Sequence, residues 1–440
     1  MKLNRRTSLI AAVLTATVMV TWVATSAAAP AAPGDPEDPA TTPQPQYDYD
    51  NDDKSFVIDL QFGASSATLV DATVGTEPSY SHLGDPPQLQ LSLTDEDGNP
   101  AGTVNSYDPR WSFEEAPGGG EQLVIRESPG TLTIPFDPDA ASLLVRDQQA
   151  GVDLTTVDLG PAIQDFCVAH PTDADCVEAD LAVTASSVTG DPMGVIGQPT
   201  TVDVSAVVKN LGPDGPVDGK VTQTATGTAG VTVTPANRDL DADGLAVGAS
   251  STVNSTYDVK CTAAGAQTVT VTSAISPALA KVVDPVAANN SKAATFAIDC
   301  AVPVTLNVLP GVRTNPVFVS GPIALPPLLP IAVLTTRAGE YGNPLAFDAT
   351  KIKPTTVRVG VRDALIASNT GTPPFLNAVL SAFSIEPDEH TVDLDKDGVL
   401  QAPTRNIGIR PDTTEVCVRG RFGTGTGTTF FGCDHITQLP

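Results

Sequence analysis

Short stretches in which apolar and polar residues alternate recur along most of the chain, and their period of two is that of β-strands with one face buried. In the N-terminal third they are Ser55-Phe56-Val57-Ile58-Asp59-Leu60, Gln88 to Leu93, Gln122 to Ile125, Thr131 to Ile134 and Ser142 to Val145. Gln88 to Leu93 alternates without exception, which predicts a half-buried strand of an antiparallel sheet. Asp95-Glu96-Asp97-Gly98-Asn99 follows it with hairpin-turn chemistry. Five or more short strands at this spacing predict a β-sandwich over 48–178. Its end is expected to be a loop from Phe166-Cys167 to Cys176, tied off as a small clasp.

The same pattern continues. A second domain is expected over 179–301, from Ala179-Asp180-Leu181-Ala182-Val183-Thr184 through Thr201 to Val208, Val231 to Thr234, Ser251 to Val259 and Gln267 to Val271 to a last strand at Ala294 to Ile298. A third is expected over 302–440, with an apolar run at Pro330 to Thr335, an alternating one at Thr355 to Gly360, and a hairpin at the end. In that hairpin Glu415 to Phe422 and Thr428 to Cys433 flank a Gly-Thr repeat. Symmetry about Gly425 places Cys417 opposite Cys433 and puts Val416, Val418, Phe422 and Phe430 on one face, the expected core face. The chain is therefore read as all-β, a tandem of sandwich domains.

Two segments stand outside the pattern. Lys2, Arg5 and Arg6 precede an uncharged apolar run from Leu9 to Val23 and a small-residue patch ending at Ala29, the marks of a secretory signal peptide over 1–29. Arg5-Arg6 leaves both a general and a twin-arginine export route open. Residues 30–47 carry six prolines among Ala, Thr, Asp and Gln and form an extended linker that cannot bury a core. No second apolar stretch of spanning length follows, so a secreted protein is expected, free or held at the cell surface.

With 51 acidic against 24 basic residues the formal charge is -27, which disfavours nucleic acid as a partner. Six cysteines in an exported chain imply disulfides, and six allow fifteen pairings. Sequence proximity selects Cys167 with Cys176, Cys261 with Cys300, and Cys417 with Cys433. None has the CxxC spacing of a zinc or redox centre, so all three are read as structural staples.

The opening Asp180-Leu181-Ala182-Val183-Thr184, the turn Val208-Lys209-Asn210-Leu211-Gly212-Pro213 and the Asp284-Pro285 to Asn289-Asn290 approach to the last strand resemble the CARDB and DUF11 group of bacterial extracellular immunoglobulin-like modules. Over about 120 residues the resemblance implies a seven-strand immunoglobulin-like sandwich used as a spacer or adhesive unit, with no catalytic residues to carry over. The ordered set of Pro330 to Thr336, Phe347 to Gly360, Val392 to Gly398, and the Cys417 hairpin is similar to a C-terminal β-domain of unknown activity found on many secreted bacterial proteins. That resemblance implies architecture and secretion only.

The chemistry rests mainly on Asp393-Leu394-Asp395-Lys396-Asp397-Gly398, where three carboxylates on alternate residues precede a turn glycine. This is how a tight loop aims hard oxygens at one Ca²⁺, but positions nine and twelve are Gln401 and Thr404, so it is no EF-hand. A structural Ca²⁺, completed by Glu386, Asp388 or Asp412, and a plain acidic turn both remain open; no cofactor is required. Asp239, Asp241 and Asp243 before Gly244 repeat the spacing, where an ordinary Asp-Gly turn between strands is the alternative. Catalysis finds little support, since the four histidines His82, His170, His390 and His435 belong to no HExxH or G-x-S-x-G motif.

The expected function is a non-catalytic scaffold, adhesive or ligand-binding, that acts as a monomer on an extracellular protein or a cell-wall glycan. The alternative is a secreted hydrolase or its accessory carbohydrate-binding module. Against it stands the 5% aromatic content, with Trp111 the sole tryptophan after the signal peptide, because sugar-binding faces use aromatic platforms.

Overall fold

Alternation along the N-terminal runs becomes two facing sheets. The computed structural model describes residues 54–77, 89–115, 117–312, 314–320, 323–381 and 396–439, all within one compact unit spanning Asp50–Pro440. Ala67–Gly75, Ser55–Phe62 and Ser128–Pro135 form one sheet in that order, and Pro100–Ser106, Leu89–Thr94, Ser142–Asp147 and Val152–Asp158 the other. Phe56, Ile58, Leu60 and Phe62 project from one sheet and Leu89, Leu91, Leu143 and Val145 from the other into a shared core. Between Leu89–Thr94 and Pro100–Ser106 the Asp-Gly segment makes the expected turn: Gly98 takes a φ of 78°, and the Asn99 N–H donates to Asp95 Oδ1 at 2.7 Å.

At the end of this sandwich the structure corrects the expected clasp loop. Cys167 lies on a helix, Gly160–Ala169, with a proline in its first turn and Ala162, Ile163 and Cys167 buried. Its apolar residues fall at Ala162, Ile163 and then in the unbroken run Phe166 to Ala169, a pattern too short and too continuous to separate helix from loop by period. The Cys167–Cys176 bridge holds the helix to the start of the next strand.

The middle sandwich packs a five-stranded sheet (Val231–Thr234, Ser250–Cys261, Pro199–Pro213, Val177–Gly190, Val282–Val283) against strands Asn237–Leu245, Val217–Gly227, Gly265–Pro277 and Ser291–Pro303. Cys261 and Cys300 belong to different sheets, so their bridge, with Cα atoms 5.7 Å apart, ties the two layers. The second sheet does not stop at Pro303. Val302 and Pro303 pair in parallel with Phe430 and Phe431, and the sheet continues through Thr428–His435, Glu415–Phe422 and Arg358–Gly360.

In the last third, Leu306–Val308, Leu328–Val333, Asp397–Pro403 and Phe375–Ser381 form a four-stranded sheet. The terminal hairpin has Cys417 directly opposite Cys433, with Val416, Val418 and Phe430 fully buried on one face and Phe422 packed beside them. Phe347 packs on that face, its ring tilted against that of Phe430 with the centroids 5.2 Å apart. The other face carries Cys417 and Phe431 and packs on Met193, Val195 and Leu365. Both faces are thus buried, which the alternation alone did not predict. Among the described residues no helix is long and apolar enough to cross a membrane.

Candidate functional site

The strand Ser291–Pro303 leads into the terminal hairpin through a close backbone approach. Val304 N–H donates to Phe431 O at 3.0 Å, and a Cβ on Gly432 would lie 2.2 Å from Val304 O, so a side chain there would force the strands apart. Beside this joint lies a cleft of about 220 Å³ lined by Gln198, Asn343, Arg362, Glu415, Asp434 and His435, among others. It draws on the middle sandwich, the connection and the last third, the kind of junction where ligands are often bound.

Several of its polar groups already have partners within the protein. Helix Arg362–Ala367 presents Arg362, whose Nε donates to Glu415 Oε1 at 2.7 Å while the guanidinium lies 5.6 Å from the Phe431 ring centroid. Both side chains are about a third exposed, at 37% and 28%, so solvent screens the pair and it contributes less than about 1 kcal/mol. Asn343 donates to Thr305 Oγ1 at 2.8 Å. Asp434 Oδ2 accepts from Val308 N–H at 2.8 Å and Asn315 Nδ2 at 3.0 Å. Burial pushes the Asp434 carboxyl above the ordinary carboxylate range, with these hydrogen bonds opposing the shift. Glu415, Cys417 and Cys433 are the one group of three His, Cys, Asp or Glu residues among those described whose ligand atoms lie within 4.8 Å of each other. Both sulfurs are in the Cys417–Cys433 disulfide, which leaves one carboxylate as a ligand.

Asp239, Asp241 and Asp243 do not sit on a turn. They lie in strand Asn237–Leu245, all three exposed, with Thr222 Oγ1 donating to Asp239 Oδ1 at 2.8 Å. Asp239 and Asp241, alternate residues of a strand, project in one direction about 7 Å apart, a bulge with Gly244 at a φ of 62° interrupts the ladder after Ala242, and the three carboxylates do not gather into a cage. Asp393 and Asp395 lie outside the described residues, as do Glu386, Asp388, His82 and His390. Asp397 is buried at the start of Asp397–Pro403, and its Oδ1 accepts from Thr335 N–H at 2.9 Å. Asp412 is exposed. His170 ends the Gly160–Ala169 helix with its ring stacked on Phe166, the centroids 4.6 Å apart.

A buried charge cluster in the N-terminal sandwich was not legible in the sequence. Arg110 is fully buried; its Nε donates to Asp108 Oδ1 at 2.9 Å, its Nη2 to Asp147 Oδ2 at 2.6 Å, and its Nη1 to Ala64 O at 3.0 Å. Asp147 lies on the four-stranded sheet and Ala64 on the turn after Ser55–Phe62, so one guanidinium joins both layers. Burial pushes the Asp147 carboxyl up, but the Ala150 N–H and Arg110 outweigh it and hold the carboxyl below its ordinary value. Asp108, Arg110 and Asp147 fall in a turn and at a strand end, with nothing in their spacing to join them.

No protein-family model and no curated protein matches the sequence. Among solved structures, a crystal structure of a CARDB domain from Pyrococcus furiosus in complex with di-metal ions is similar at 20% identity, covering 28% of this chain and 93% of that one, with a TM-score of 0.18. A solution structure of that domain gives 17% identity, 28% and 96% coverage, and a TM-score of 0.18. The class 5 fimbriae chaperone CfaA is similar at 9% identity, covering 59% of this chain and all of that one, with a TM-score of 0.17. Likenesses of this size carry no functional argument.

Proposed function

We propose that this protein is an exported, non-catalytic scaffold that holds a surface partner, an extracellular protein or a cell-wall glycan, at a fixed distance and orientation. The observation that carries this reading is how its modules are joined. Strand Ser291–Pro303 belongs to the middle sandwich and pairs with Thr428–His435 of the last third, so the joint is a continuous sheet with a buried face on each side. At the other junction Val177 and Glu178 pair in parallel with Val282 and Val283 at the edge of the middle sandwich. Lys281 there pairs with Asp139 at 2.5 Å, and Ala280 and Val283 pack on the N-terminal core. Joints of this kind resist bending, because flexing them breaks ladder hydrogen bonds and exposes apolar surface.

The three disulfides suit an oxidising compartment. The test is an interdye distance measurement by single-molecule fluorescence, with labels on the N-terminal sandwich and on the terminal hairpin. One narrow distance distribution supports a stiff spacer, and a broad or multiple distribution overturns it. Binding to glycan arrays and turnover of the bound glycans then separate retention from hydrolysis, with retention expected and turnover contrary to the proposal.

A further inference from the structure

The interior of the middle sandwich is divided in two. One apolar cluster holds Leu181, Val183, Val208, Val221 and Ile275, and a separate one holds Val202, Val204, Val259, Val269 and Val271. Between them an inward-facing row crosses one sheet. Arg238 pairs with Gln223, Gln223 with Ser273, and Ser273 with Lys292, on four adjacent strands. Gln223 and Ser273 are completely buried.

The facing sheet answers this row only in part. Ser255 Oγ donates to Gln223 Oε1, and Tyr257 OH donates to the Gln223 backbone oxygen at 3.2 Å. The Arg238 guanidinium lies 5.5 Å from the Tyr257 ring centroid. At the far edge Lys292 Nζ reaches across to Thr184 O at 2.8 Å. Gln223 Nε2, Ser273 Oγ and Arg238 Nε are buried with no hydrogen-bond partner in the protein. Such groups carry the full cost of lost hydration unless something polar meets them.

We infer that this row is an enclosed water-binding site, in which ordered water bridges Arg238 Nε, Gln223 Nε2 and Ser273 Oγ. Directly opposed residues on neighbouring strands have Cβ atoms about 5 Å apart, and one water about 3 Å from each of two polar atoms spans such a gap. The mixture of donors and hydroxyls suits water, which both donates and accepts and commonly makes about three hydrogen bonds when buried. The row forms a wet seam, and the two apolar clusters on either side of it exclude water independently.

The test uses the full mature chain with its disulfides intact. Water-to-amide nuclear Overhauser effects are recorded on the wild type and on the Gln223→Leu/Ser255→Ala/Ser273→Ala variant, in which the polar side chains of the seam's centre are removed together. Long-lived water signals are expected at the amides of Gln223 and Ser273 in the wild type. They should vanish in the variant with no fall in its thermal midpoint, since the donors and acceptors of the fully buried centre are removed together and the remaining Arg238 lies at the half-buried edge of the row. If the triple variant does not fold, Ser273→Ala alone carries the test, and loss of the signal at residue 273 is the expected result. Absence of long-lived water in the wild type overturns the inference. So does a lower midpoint in the folded triple variant, or a bromide anomalous peak on the row in a bromide-soaked crystal, which would mark an anion site instead.

Discussion

The N-terminal and middle sandwiches both enclose polar side chains, and they satisfy them in opposite ways. In the first, Arg110 meets two carboxylates and a backbone carbonyl directly, with all the charged groups buried. In the second, the fully buried Gln223 and Ser273 are uncharged and underpartnered within the protein, and the charged members of their row, Arg238 and Lys292, lie at its less buried ends. A charge cannot be left without partners in an interior, whereas an amide or hydroxyl can be met by water. The contrast separates a cluster whose loss is costly from one whose loss is cheap, although both are equally hidden.

The largest expected effect breaks the first half of this comparison. Arg110→Met leaves Asp108 and Asp147 buried without their cation and should destabilise the N-terminal sandwich by about 3–5 kcal/mol. Calorimetry of the full chain should show that transition moving down while the disulfide-tied middle sandwich holds. A shift of less than about 1 kcal/mol would show that water reaches the triad.

Next, Cys261→Ser/Cys300→Ser opens a closure of 39 residues and should cost the middle sandwich about 4 kcal/mol. Cys167→Ser/Cys176→Ser, with a separation of 9, should cost about 2.6 kcal/mol. Equal losses would mean that the bridge between sheets acts through native contacts and not through loop length.

A smaller effect follows from two carboxyls shifted in opposite directions. Asp147 is held below its ordinary value, so its contribution is present above the unfolded pKa of about 3.9 and is lost as pH falls through the folded value. Asp434 is raised by burial, so its contribution is full below about 3.9 and is lost as pH rises through its folded value. Urea midpoints across this range should therefore fall toward acid for the N-terminal sandwich. Asp434→Asn should flatten the opposing slope in the last third, and an unchanged slope there would remove Asp434 as its source.

The smallest effect concerns calcium. Because Asp239, Asp241 and Asp243 are spread along a strand, calcium should leave the melting of the middle sandwich where it is, since only selective binding raises a midpoint. A rise that Asp241→Asn abolishes would show that the row gathers a cation after all.

Local patterning carried much of the architecture. Alternation at Phe56 to Leu60 and Leu89 to Leu93 specified which faces are buried, because side-chain direction in a strand is set by parity alone. The same rule, with a turn centred on Gly425, paired Cys417 with Cys433. It failed at Gly160–Ala169, where one short helix offered three buried positions and a proline in its first turn. It left 239–244 undecided, because carboxylates at spacing two suit a ligand loop and an exposed strand face equally well.

The amino-acid sequence by itself determined an all-β chain, its hairpin register and the residues that form its bridges, since each depends on neighbours or on simple parity. Only the tertiary structure decided that Ser291–Pro303 joins two modules in one sheet, that Arg110 gathers Asp108 and Asp147, and that Arg238, Gln223, Ser273 and Lys292 share a row. The physical reason is distance along the chain. Parity tells each strand which way its side chains point, but not which strand or turn will stand beside it, and each of these features needs segments that are far apart in sequence to meet.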